Sequence, residues 1–82
     1  MHELGILNHV VKTVNRIANE NGIEKIDHIT LEVGKTSGCV TAYLEKLFPI
    51  AIDKQPKMQG TKLKIIMTEG KGLSIKDIGY KK

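Results

Sequence analysis

The chain opens Met1-His2-Glu3, and these three residues bring together the donor atoms of a metal chelate. The α-amine of Met1, the amide nitrogen of His2 and the imidazole Nδ1 of His2 can close fused five- and six-membered rings on one ion. An all-nitrogen, near-planar set suits Ni(II) or Cu(II) rather than zinc, magnesium or calcium. One planar position remains for the Glu3 amide, another histidine, water or a partner's ligand. His9 and His28 complete the three histidines of the chain, and each reads first as a polar surface residue. Either becomes the fourth ligand if folding carries it to the N-terminus.

Two other stretches have the look of chemistry. Val33-Gly34-Lys35-Thr36-Ser37-Gly38 lies between a strand-like and a helix-like segment, as a phosphate loop does. That loop needs a glycine five positions before its Gly-Lys-Thr, so that backbone amides can wrap the phosphates. Ile29 stands there, and no nucleotide site is expected. Cys39 is the single cysteine, so no disulfide can form within the chain. At the start of a helix its thiol pKa would be somewhat lowered. A nucleophile also needs a base and an orienting group, and no such spacing is present. The thiol reads as structural, and the chain does not read as an enzyme.

The elements that must position these residues follow from hydrophobic period. Leu4, Leu7, Val10, Val11, Val14, Ile17 and Ala18 recur at three and four, which predicts a helix with one buried stripe. Gly22 supplies its left-handed stop. From Lys25 to Gly34 the period changes to two, with Ile29, Leu31 and Val33 on one face and His28, Thr30 and Glu32 on the other. Val40 to Ile52 returns to helical spacing through Val40, Tyr43, Leu44, Leu47 and Phe48. Pro49 removes a donor inside it, so a kink or an end near Phe48 is expected. Lys62 to Thr68 predicts a strand with Leu63, Ile65 and Met67 on one face. A last strand runs from Leu73 to Tyr80. There Ile78 breaks the parity of Leu73 and Ile75, which predicts a bulge. The Glu69–Gly72 turn between these strands predicts a hairpin. The order helix-strand-helix-strand-strand predicts an α+β fold, two helices packed on a three-stranded mixed sheet in two layers.

Eighty-two residues make one small domain, here 1–82 as a whole, with a modest aliphatic core. The core and an exposed strand edge make a homodimer a reasonable expectation. No apolar run reaches the roughly 20 residues of a membrane helix, and no signal peptide is evident; a cytoplasmic protein is expected. The net charge of +4 admits a small basic RNA-binding domain. The lysines are scattered, however, and aromatics to stack on bases are scarce, so no nucleic-acid partner is expected.

Met1-His2-Glu3-Leu4, the helix ending at Gly22, Leu31-Glu32-Val33-Gly34 with Ser37-Gly38, Gly60-Thr61-Lys62-Leu63-Lys64-Ile65 and Gly72-Leu73-Ser74-Ile75-Lys76-Asp77-Ile78 together resemble the HypA family of nickel-incorporation proteins. The resemblance runs through nearly the whole chain in order. It implies a nickel metallochaperone for nickel-iron hydrogenase or, in some bacteria, urease. Ni(II) would be held transiently by His2 and by backbone nitrogens of Met1, His2 or Glu3, with Glu3 tuning the site or a partner contact. A nickel-handling GTPase and a hydrogenase large-subunit precursor are the partners it implies. HypA-like proteins normally carry a zinc-binding segment with two Cys-x-x-Cys pairs between the last two strands. Here the turn near 69–72 replaces it, and with one cysteine no zinc is expected, since a structural site needs about four such ligands. That loss leaves a second expectation, a metal-free interaction or scaffold protein that docks on the maturation machinery. If nickel is bound, protons compete for the imidazole, and binding should weaken as pH falls towards about 6.

Overall fold

The computed structural model describes residues 2–81. In chain order it has α1 (Glu3–Glu20), β1 (Lys25–Gly34), α2 (Thr41–Ile52), a 3₁₀ turn at Pro56–Met58, β2 (Lys62–Thr68) and β3 (Leu73–Lys81). This is the expected α+β order. No helix among the described residues is long and apolar enough to cross a membrane.

In α1 the three-and-four stripe is the buried one: Leu7, Val10, Val11, Val14 and Ala18 all lie in the core. The helix stops as its sequence predicts. Gly22 takes φ 64°, and the Ile23 amide donates back to the Ala18 carbonyl at 2.9 Å, the six-to-one bond of a Schellman cap. Lys57 reinforces this end, its ammonium donating to the Ile23 carbonyl and to Asn19 Oδ1, both at 2.9 Å.

β1 is the middle strand of the sheet, in the order β2-β1-β3. Ile29, Leu31 and Val33 are fully buried, with Leu63, Ile65, Leu73, Ile75 and Ile78 packed beside them and both helices contributing to the same core. β2 runs parallel to β1, pairing Ile29 with Leu63 and Val33 with Met67. β3 runs antiparallel. Its bulge is where parity demands one: Leu31 faces Ile75 while Thr30 faces Asp77, leaving Lys76 as the extra residue. That step returns Ile78 to the core side.

Two expectations are corrected. β2 and β3 do not form a hairpin, because β1 lies between them. Burying the central strand, whose Ile26, Ile29, Leu31 and Val33 are all fully buried, outweighs the short range of the β2–β3 connection. The Glu69–Gly72 link therefore crosses the end of β1, and the sequence there is shaped to allow it. A Cβ on Gly34 would collide with the Gly70 carbonyl oxygen. The amides of Gly34, Lys35 and Thr36 donate to the carbonyls of Gly72, Thr68 and Gly70 at 2.7, 2.8 and 2.9 Å. Second, α2 does not end near Phe48 but continues through Pro49 to Ile52. Phe48 and Ile52 are both buried, and their burial holds the last turn although the Glu45 carbonyl loses its amide donor. Met67 shares the face of Leu63 and Ile65 on the outer strand β2 but is 46% exposed.

Candidate metal centre

The two helices run side by side in the same direction. Their first turns meet through Glu3 and Val40, and towards the other end Asn15 Nδ2 in α1 donates to Oε1 of Gln55, just past α2, at 2.5 Å. The start of α1, the start of α2 and the Glu69–Gly72 link consequently share one end of the molecule. His2 stands at that end.

His2 is exposed and occupies the N-cap position of α1 (φ −87°, ψ 83°), where its side chain makes no capping bond. Its carbonyl accepts the Ile6 amide at 3.1 Å, the first bond of the helix. The amides of the residues before Ile6 have no intrahelical acceptor, as at any helix start. The imidazole and the neighbouring backbone nitrogens are thus placed together and not consumed by the helix. Met1, expected to supply the α-amine, lies outside the described residues.

Glu3 is oriented differently from His2. It is only 7% exposed, and its Oε2 accepts the Val40 amide at 3.0 Å. That bond is the main reason its carboxyl titrates below the ordinary carboxylate range, against an opposing push from burial. The negative charge sits at the N-terminal ends of both helices, where their dipoles favour it. The Glu3 side chain ties α1 to α2 next to the metal end.

The remaining histidines separate clearly. His9 is two turns along the same helix face, about 10 Å of rise from His2. With His2, Gly5, Ile6, Val10 and Leu73 it borders an open, largely apolar groove of about 510 Å³. His28 points from the opposite sheet face. Its Nδ1 lies 3.1 Å from Asp27 Oδ2 and its Nε2 3.5 Å from Asp77 Oδ1, with its ring filling the space above Gly79. It is five residues along β1 from Val33, whose partner Leu73 borders the His2 groove. That is roughly 16 Å of strand, so His28 belongs to the sheet and not to the N-terminal site.

The other candidates resolve as structural. Cys39 precedes α2 instead of opening it, and is half-buried. Burial pushes its thiol upward, and the nearby Glu3 carboxylate adds to the effect. The expected lowering at a helix start is overturned. In the phosphate-loop lookalike, the Lys35 and Thr36 amides are committed to carbonyls as described, and the Lys35 ammonium pairs with Glu69 at 3.0 Å. Among the described residues no three His, Cys, Asp or Glu side chains gather into a metal cage. Sequence reasoning missed the groove. Ile6 and Val10, each four residues on from the last starting at His2, are the trace of it.

A family model described as hydrogenase/urease nickel incorporation, metallochaperone, HypA matches residues 1–76. The chain belongs to the HypA family. The solution structure of the Ni metallochaperone HypA from Helicobacter pylori superposes on it with a TM-score of 0.88, over 98% of this chain and 97% of that one, at 12% identity. At that identity the likeness speaks for the HypA fold alone. No curated protein matches the chain. HypA proteins are metallochaperones and not enzymes.

Proposed function

We propose that this HypA protein carries Ni(II) on its first residues, through the His2 imidazole, the backbone nitrogens of His2 and Glu3 and the α-amine of Met1, and passes it on. The carrying observation is the position of His2, exposed at the N-cap of α1 beside helix-start amides that have no acceptor within the helix. An open coordination of this kind suits a carrier, because a ligand from the recipient can enter at the vacant position and take the ion. The Glu3 side chain contributes by anchoring the first turn of α1 against α2. No zinc is part of this reading, since the chain has one cysteine and a four-residue link where the zinc segment would be. The clients are a hydrogenase large-subunit precursor or its urease counterpart, reached through a nickel-handling GTPase in the cytoplasm.

Titration of the untagged protein with Ni(II), against His2→Ala, tests the proposal. Loss of a direct ligand should exceed the ~10- to 100-fold that losing a supporting partner costs. Equal affinities would remove His2 from the site. Absence of nickel binding at micromolar metal, with GTPase binding retained, would select the metal-free scaffold instead. A residue added before Met1 should weaken binding as the substitution does, because it abolishes the α-amine ligand.

A further inference from the structure

His9 stands about 10 Å of helix rise beyond His2, too far along α1 to enter a plane built on the backbone nitrogens of the first residues. Both imidazoles nevertheless border one groove, and among the described residues its other walls are Gly5, Ile6, Val10 and Leu73. The two rings are the only polar side chains among these. They also converge. Helical side chains lean towards the N-terminus, so that of His9 reaches back over the turn holding Gly5, and the His2 Cβ already lies beside Gly5. Gly5 is what keeps the space between them open. A glycine within a helix is destabilising relative to alanine, and Gly5 has no positive φ that would require it. A Cβ there would meet only the His2 Cβ, at 3.8 Å, an ordinary contact. Neither backbone nor packing calls for the missing side chain, whose position is three residues from His2 and four from His9, neighbours of both on the helix surface.

We infer that His2 and His9 hold one Ni(II) between them over Gly5, as a second and looser station for the ion. This rests on the reading of the protein as a nickel carrier. Two imidazoles joined through one ion span up to about 13 Å between their Cα atoms, on ordinary bond lengths, so the separation here is within reach. Imidazole is a donor that Ni(II) accepts, and waters fill the remaining positions. The two stations are alternatives. A neutral imidazole has one nitrogen free to accept, and that of His2 serves either the chelate through Nδ1 or the groove through Nε2. One chain therefore carries one ion at this end, and His2 belongs to both stations. The state of the ion differs between them. A planar set of four nitrogens pairs the d electrons of Ni(II), whereas two imidazoles with waters leave it six-coordinate and paramagnetic.

The test adds Gly-Ser before Met1, which takes the α-amine out of the chelate, and titrates this full chain with Ni(II) by calorimetry and by NMR of the histidine ring protons. One ion per chain should still bind, more weakly than to the untagged protein. It should broaden the ring signals of His2 and His9 together and leave those of His28 sharp. In the extended chain His9→Ala and Gly5→Leu should each lower affinity at least ~10-fold, the first by removing a ligand and the second by filling the space between two intact ones. Positions 5 and 9 are exposed, and circular dichroism of each variant reports whether the fold is kept. No binding to the extended chain, broadening confined to His2, or an affinity indifferent to His9→Ala would overturn the inference and leave the chelate standing. An extension that costs no affinity, with His9→Ala still costly, would sink the chelate and keep the pair.

Discussion

The Glu3 carboxylate accepts the Val40 amide at 3.0 Å, so the first residue of α1 is bonded to the N-cap residue of α2 across 37 positions of sequence. The bond decides where His2 stands, because it fixes the first turn of α1 from the side next to the imidazole. Under the proposed function, Glu3 is thereby a positioning residue for His2 by its side chain and a neighbour of the chelate by its backbone.

Stability should carry the signature of this bond. The Glu3 carboxyl titrates below its ordinary value of 4.5, chiefly because of the Val40 amide. Its contribution is therefore complete above the unfolded value and fades as pH falls through the lower folded one. Glu3→Gln should melt below the wild type at pH 7, and the gap should close in acid below 4.5. Thermal melts across pH 3–7 check this; a gap that ignores pH would assign the effect to shape and not to charge.

Gly34→Ala should destabilise by ~1–3 kcal/mol, the usual range for forcing an atom into filled space, because the new methyl meets the Gly70 carbonyl. Gly72→Ala, two residues further along the same link, has nothing within 4 Å and should change stability by about 0.5 kcal/mol or less. Urea denaturation of the pair measures the contrast.

Pro49→Ala should stabilise the protein, by up to ~3 kcal/mol, since a mid-helix proline costs about that much. Pro49 is exposed, so alanine restores a donor for the Glu45 carbonyl without emptying core space. A raised midpoint in a thermal melt is the expected result, and an unchanged one would mean that water already satisfies that carbonyl.

His28→Ala should leave nickel affinity within about twofold, because the side chain lies on the far sheet face between Asp27 and Asp77. Calorimetric titration beside His2→Ala separates the two histidines. A comparable loss in both would contradict the geometry described for His28.

The fold was legible wherever one chain segment dictates its own period. Ile29, Leu31 and Val33 announced a strand, Gly22 announced the end of α1, and Ile78, three residues after Ile75, announced the bulge at Lys76. What was not legible depended on competition between segments. The hairpin expected at Glu69–Gly72 fails because β1 takes the central place, and no local pattern in β2 or β3 reveals that. Pro49 is tolerated because Phe48 and Ile52 are buried by residues far away in sequence. At the site, His2 could be named from its place in the chain. The buried state of the Glu3 side chain could not, because its partner is a backbone amide and any residue but proline at position 40 would supply it.

The crossing of β1 by residues 69–72 gives the fold a socket. With β1 between them, the stems at Thr68 and Leu73 are held two strand spacings apart, roughly 10 Å, whatever joins them. Both stems are fastened to β1 itself, so their separation does not depend on the length of the joint. Leu73 also borders the groove beside His2, so anything inserted between the stems would emerge over the metal end. Accessory modules can be exchanged at this point of the architecture without altering one pair in the sheet, and in this chain four residues close it.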